Sequence, residues 1–170
     1  DPRKDLGISQ KGVASETILP LLTEKSVKDI SDKHGHVDLI IARHILEHAP
    51  DTQGFLSAIW DMLNPDGYIV FEVPDCTKQL KFKDYSMPWE EHILYFVPET
   101  LKAFFNHTNY ELVHYRKYPY ITEDSQVAIV CKSQIQEVTE AEPVSGNFVL
   151  AEQYANDFEK RGFNIIRYDV

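Results

Sequence analysis

The run Val37-Asp38-Leu39-Ile40-Ile41-Ala42 is short, rich in β-branched side chains and without polar alternation, a pattern that predicts a strand buried on both faces. Between residues 51 and 63, Phe55, Leu56, Ile59, Met62 and Leu63 recur at the spacing of one helix face, with Asp51 or Thr52 as the N-cap. Asn64-Pro65-Asp66-Gly67 then stops the helix and turns the chain, because proline lacks a donor and glycine accepts turn geometry. Tyr68-Ile69-Val70-Phe71-Glu72-Val73 reads as the next strand. Strand, helix, turn and strand in this order make a βαβ unit, whose expected outcome is a parallel sheet with a right-handed crossover.

Residues 75–96 are aromatic, mixed in charge and too long for a simple connector. Pro98 opens a helix that runs to about Phe105, since proline is tolerated in a first turn. Tyr110–Tyr118 and Gln126–Lys132 read as two strands, and the short link between them allows antiparallel pairing at a sheet edge. Residues 133–146 show neither period and read as a linker, whereas 147–161 regain helical spacing through Phe148, Leu150, Ala151, Tyr154, Ala155 and Phe158. Upstream, Arg3–Lys11 reads as a short helix, Gly12–Ile18 as a strand, and Glu24–Lys33 as a helix with Val27 and Ile30 on its apolar side. A buried strand needs hydrogen-bonded neighbours on both sides, and residues 1–36 offer one candidate. The sheet therefore reads as short of a member and the chain as a piece of a longer domain.

A length of 170 residues suits one domain with an appendage. With 17 basic against 27 acidic residues, the formal net charge is −10, which opposes any sequence-independent hold on nucleic acid or anionic lipid. No apolar run approaches the roughly 20 residues of a membrane-spanning helix, and the opening Asp1-Pro2-Arg3-Lys4-Asp5 is no signal peptide. Cys76 and Cys131 are far apart and suggest neither a disulfide framework nor a zinc knuckle. The expectation is a soluble, cytoplasmic, acidic globular protein.

Two clusters could carry chemistry. His44-Ile45-Leu46-Glu47-His48 matches the His-x-x-Glu-His pattern of inverted zinc peptidases, in which two histidines share a helix face. Pro50 disfavours helical geometry at Ala49, so the alternative reading packs His48 and uses Glu47 to cap the next helix. Arg43 to His48 also stand at the carboxyl end of a sheet strand, where open α/β sheets bind ligands. Trp89-Glu90-Glu91-His92, followed by Tyr95-Phe96, places a histidine beside carboxylates in an aromatic loop, a setting for a general base. No two of the seven glycines are spaced for a G-x-G-x-x-G loop, and the chain has no P-loop and no nucleophile elbow.

Taken together, Val37–His48 and Leu63–Pro74 resemble the fourth and fifth strands of class I S-adenosylmethionine-dependent methyltransferases. Trp89-Glu90-Glu91-His92-Ile93-Leu94-Tyr95-Phe96 is similar to the Tyr-His-Glu-His-x-x-Tyr-Phe segment of the sugar C-methyltransferase-like subfamily, and Gln126-Val127-Ala128-Ile129 to its late edge strand. The resemblance covers roughly residues 1–132. It implies an α/β, Rossmann-like sheet, mostly parallel with an antiparallel edge strand and incomplete at its N-terminus. The implied organisation is a partial methyltransferase-like domain at 1–132, a linker at 133–146 and an appendage or further domain beginning at 147–170.

The resemblance also implies site residues. Asp1 would accept hydrogen bonds from the ribose of S-adenosylmethionine, Leu21, Leu22 and Thr23 would line the adenine pocket, and Ala42, Arg43 and His44 would lie beside the methionine moiety. Glu91 and His92 match the acid and histidine of proton removal, and Tyr95 would shape the acceptor site; no metal is implied. Trp89 and Glu90 depart from the subfamily's tyrosine and histidine, and Asp124-Ser125 stand where it has Gly-Gly. The implied partner is a small molecule, a sugar or sugar nucleotide, with a homodimer as the assembly. Carbon methylation needs a nucleophile made by removing a proton, which His92 oriented by Glu91 could take; oxygen methylation could use the same base. The alternatives are a non-catalytic methyltransferase-like scaffold and, third, a zinc hydrolase using His44, Glu47 and His48.

Overall fold

The computed structural model describes residues 22–88, 91–133 and 145–161. The helix and strand expected within 3–18, linker residues 134–144 and the segment 162–170 lie outside the described residues, as do Asp1, Leu21, Trp89 and Glu90.

Helix α1 (Glu24–His34) begins at a capping box: Thr23 Oγ1 accepts from Ser26 N at 3.2 Å, and Thr23 N donates to Ser26 Oγ at 2.9 Å. Strand β1 (Val37–Arg43) follows, then a 3₁₀ turn (Leu46–His48) and helix α2 (Thr52–Met62). Asp51, one of the two expected caps, holds α2 by accepting from Gly54 N at 2.9 Å. Glu47 does not cap that helix. Strand β2 (Leu63–Asp75), helix α3 (Thr77–Phe82), helix α4 (Pro98–Asn106), strands β3 (Tyr110–Tyr118) and β4 (Asp124–Lys132) and helix α5 (Ser145–Arg161) complete the order. Helix α3 was not legible as an element in the sequence, and α5 takes in Ser145 and Gly146 from the expected linker.

The described strands form one mixed sheet in the order β1-β2-β4-β3, with β1 and β2 parallel and the other pairs antiparallel. The α/β architecture is the expected one. The expected turn at residues 64–67 is instead an excursion within β2: Val37 pairs with Leu63 and Leu39 already with Tyr68, so residues 64–67 stand opposite Asp38 alone and the register shifts by three. Asn64 Nδ2 ties this excursion to Asp38 Oδ1 at 2.7 Å. A Cβ on Gly67 would sit 2.7 Å from Leu63 Cδ1, so the close approach needs glycine.

One face of the sheet carries the core. Ala42, Ile69, Phe71, Val73, Ala128 and Val130 are buried on it beneath Phe55, Leu56 and Ile59 of α2 and Leu101 and Phe105 of α4. The other face is open among the described residues: Leu39 is 54% and Ile41 61% exposed. This corrects the reading of 37–42 as buried on both faces. A run without polar alternation cannot itself report whether both of its sides find cover.

The carboxyl end of β2 is held by a charged network. Asp75, fully buried, pairs with Lys117 Nζ at 2.6 Å, and the same ammonium lies 3.0 Å from Asp124. Asp124 also receives Lys78 Nζ and the backbone N–H of Tyr120. The Lys78 contact, above all, holds the Asp124 carboxyl well below the usual carboxylate range. A depressed folded-state pKa stabilises the fold above the ordinary carboxylate value of about 4, and this contribution is lost as pH falls through the folded value. The urea midpoint is therefore expected to drop as pH falls from about 5 toward about 2, and Asp124→Asn to flatten that slope.

Helix α5 returns to the middle of the chain. Tyr85 Oη donates to Asp157, Lys83 pairs with Asp157 at 2.9 Å, and the Tyr85 ring packs on Tyr154 and Phe158. Tyr85 therefore serves this docking.

Candidate active site

Strand β1 delivers the chain to His44, whose φ of 49° is left-handed. Such a conformation costs roughly 1–3 kcal/mol in a non-glycine residue, and held strain of this kind concentrates at functional sites. His44 N still donates to Glu72 O at 2.9 Å, so the sheet ladder continues while the side chain swings back. Its Nδ1 lies 3.4 Å from Glu47 Oε1 and its Nε2 3.6 Å from Glu72 Oε1. Glu47 first, then Glu72, holds the imidazole above its ordinary pKa. Arg43 turns to the open face and pairs with Glu72, which holds that carboxyl below the usual range.

The 3₁₀ turn after His44 places Leu46, Glu47 and His48 inside the protein. This turn replaces the continuous helix that the zinc-peptidase pattern requires, so His44 and His48 share no helix face. Glu47 is 1% exposed, and neither of its carboxylate oxygens accepts a hydrogen bond. His48 is packed, as expected, and its Nδ1 stands 2.9 Å from the Glu91 carbonyl. Because a carbonyl only accepts, Nδ1 carries the proton.

The aromatic loop is strapped across the strand ends by its backbone. Ile93 N and Leu94 N donate to Glu47 O at 2.8 and 3.1 Å, while Cys76 N donates to Phe96 O at 2.9 Å. Fully buried Gln126 donates to Pro74 O at 3.0 Å and to Phe96 O at 3.3 Å. These bonds bring His92 to the end of β1. Its ring lies 4.6 Å from that of His48, and one ligand-capable atom each of Glu47, His48 and His92 falls within 4.8 Å of the others. Burial first, and the neighbouring His48 second, holds His92 below its ordinary pKa, which favours the neutral, proton-accepting form. Tyr95 stands 5.9 Å away, ring centre to ring centre, and is 37% exposed. Glu47 also acts on the His92 charge, favouring the protonated form.

Leu22, Thr23, Pro50, Asp51, Gly54 and Phe55 line a cavity of about 520 Å³ between the N-termini of α1 and α2. It begins at Pro50, two residues after His48. That volume lies within the range of small-molecule sites, and apolar walls with a few polar groups suit a flat heterocycle. Leu22 and Thr23 are thus brought to a cavity, and Ala42, Arg43 and His44 to the carboxyl end of β1. Ala42 itself is buried in the core and offers only its backbone. Cys76 is no nucleophile here, since burial pushes its thiol up to about 12. Glu72 and Gln126 were not among the expected site residues, and Glu47 was expected there only in the zinc-hydrolase alternative. Glu47 had a signal, its place just past a strand end in the His-x-x-Glu-His pattern, whereas Gln126 is identified only by its contacts.

Comparison with known proteins bears on the family. A family model described as Methyltransferase domain matches residues 9–115. The C-methyltransferase NovU of Streptomyces niveus is 30% identical over 96 residues, which are 56% of this chain and 23% of that protein. A SAM-dependent methyltransferase from Anabaena variabilis is 15% identical with a TM-score of 0.47, over 65% of this chain and 55% of its own. The DhpI-SAM-HEP complex is 14% identical with a TM-score of 0.40, over 55% and 50%. The chain thus spans about a quarter of the curated relative and about half of each solved chain, and the assignment rests on the family match. By that match, which covers well over half of its residues, the chain belongs to the methyltransferase domain family.

Proposed function

We propose that the chain is part of an enzyme that moves a methyl group from S-adenosylmethionine to a carbon atom of a small molecule, a sugar or sugar nucleotide, with His92 as the proton acceptor. The observation that carries this reading is the meeting of His92 with Glu47 and His48 at the carboxyl end of β1. The similarity to a C-methyltransferase supports carbon as the acceptor atom.

When bound, S-adenosylmethionine supplies a methyl group made electrophilic by its sulfonium. Leu22 and Thr23 would receive its adenine, with Asp1 and Leu21 as further candidates outside the described residues, and the backbone from Ala42 to His44 would flank its other end. His92, partly desolvated and neutral, takes a proton from carbon next to a carbonyl; Glu47 offsets the positive charge that the imidazole acquires. Tyr95 bounds the acceptor, and Glu91 contributes its carbonyl by fixing His48. Among the described residues no helix is long and apolar enough to cross a membrane. A cytoplasmic setting and a homodimer belong to the same proposal.

The test uses the full-length protein, S-adenosylmethionine carrying a ¹³C-methyl group, and a panel of keto-sugar nucleotides. The expected product shows the label bonded to carbon by NMR. A label on oxygen overturns the carbon assignment, and calorimetry without S-adenosylmethionine binding overturns the reading as a whole and favours a scaffold.

A further inference from the structure

Glu47 poses an unsolved problem of charge. A carboxylate 1% exposed, with no hydrogen bond to either oxygen, is costly to bury unless a positive charge lies against it. His44 Nδ1 stands 3.4 Å away on one side, but that imidazole is half exposed and shared with Glu72. On the other side are two imidazoles, and the three groups present one carboxylate oxygen and two ring nitrogens within 4.8 Å of one another.

That donor set is the one borderline transition metals take, in an arrangement that leaves a coordination position open. The second layer fits as well. A ligating histidine commonly donates its other N–H to a backbone carbonyl, which fixes the tautomer, and His48 Nδ1 does this to Glu91 O at 2.9 Å, leaving Nε2 as the nitrogen able to ligate. The carbonyl of Glu47 is itself held by Ile93 and Leu94, so the same hydrogen bonds fix the spacing between the two elements that supply the donors.

We propose that Glu47, His48 and His92 form a site for one divalent cation of the zinc type, and that the cation displaces the proton-accepting role of His92. The site differs from the pattern His44, Glu47, His48 in taking its third ligand from the loop, 44 residues after His48, and in requiring no helix. Cation binding stands on geometry alone. Inhibition rests on the function proposed above, because a nitrogen that ligates a metal has no lone pair left for a proton.

The experiment titrates Zn²⁺ into the full chain by calorimetry and follows Co²⁺ by its visible absorption. The expected result is one Co²⁺ or Zn²⁺ whose uptake falls at least about 100-fold in Glu47→Gln and in His92→Ala, but not in His114→Ala on exposed β3. Zn²⁺ should also raise the thermal midpoint of the parent chain and not that of Glu47→Gln, a near-isosteric change expected to fold. Equal uptake in parent and variants places the ion elsewhere and overturns the site, as does absence of uptake. Uptake with undiminished methyl transfer upholds the site and overturns His92 as the proton acceptor.

Discussion

His92→Ala is expected to lower the rate of methyl transfer by about 10²- to 10⁴-fold, the range in which a positioned acid–base group contributes. Affinity for S-adenosylmethionine should stay within about twofold, because the cavity lined by Leu22 and Thr23 does not include the loop. The thermal midpoint should move little. The bonds that hold the loop run from Ile93 N, Leu94 N and the Phe96 carbonyl, all backbone groups that the substitution leaves in place. A rate equal to that of the parent protein would remove His92 from the chemistry. A loss of cofactor affinity equal to the loss of rate would make it a binding residue instead.

Phe71→Ala is expected to destabilise the chain by about 3–5 kcal/mol. Phe71 is fully buried at the middle of β2, between Ala42 and Ala128, with its ring 5.2 Å from that of Phe105. Small neighbours on both flanking strands leave nothing to collapse into the space. For a chain of this size the loss lowers the midpoint by roughly 6–20 °C, measurable by circular dichroism. Ile41→Ser offers the contrast. Ile41 is one residue from Ala42 along β1, yet it is 61% exposed, so its replacement is expected to cost no more than about 1 kcal/mol. A large loss there would mean that the open face is covered.

These two predictions separate what hydrophobic pattern can and cannot tell. Helix α2 was legible because Phe55, Leu56 and Ile59 repeat at helical spacing and all three are buried on one side. Strands β1 and β4 were legible from their β-branched runs, β3 from its strand-like stretch with three tyrosines, and the antiparallel return of β4 from the shortness of its link. Helix α3 was not, since its six residues carry only one buried side chain, Gln79, and no apolar repeat. The excursion at 64–67 was read as a turn because Pro and Gly announce a departure from extended structure without saying whether the strand has already begun.

For the site, local sequence singled out both histidine clusters, and each lies where a strand end should put it. It could not join them. His48 and His92 are 44 residues apart, and their 4.6 Å approach depends on backbone bonds from Ile93 and Leu94 to Glu47 and on Gln126 beneath the loop. It named Glu91 as the partner of His92 by adjacency, and it gave no sign that Glu47, 45 residues earlier, also acts on the His92 charge. The amino-acid sequence by itself determined the α/β class, the order of its main elements and the residue types available at the strand ends. Only the tertiary structure decided which face of the sheet is covered and which carboxylate meets which imidazole, because both depend on what the rest of the chain lays against a residue, and spacing along the chain does not encode that.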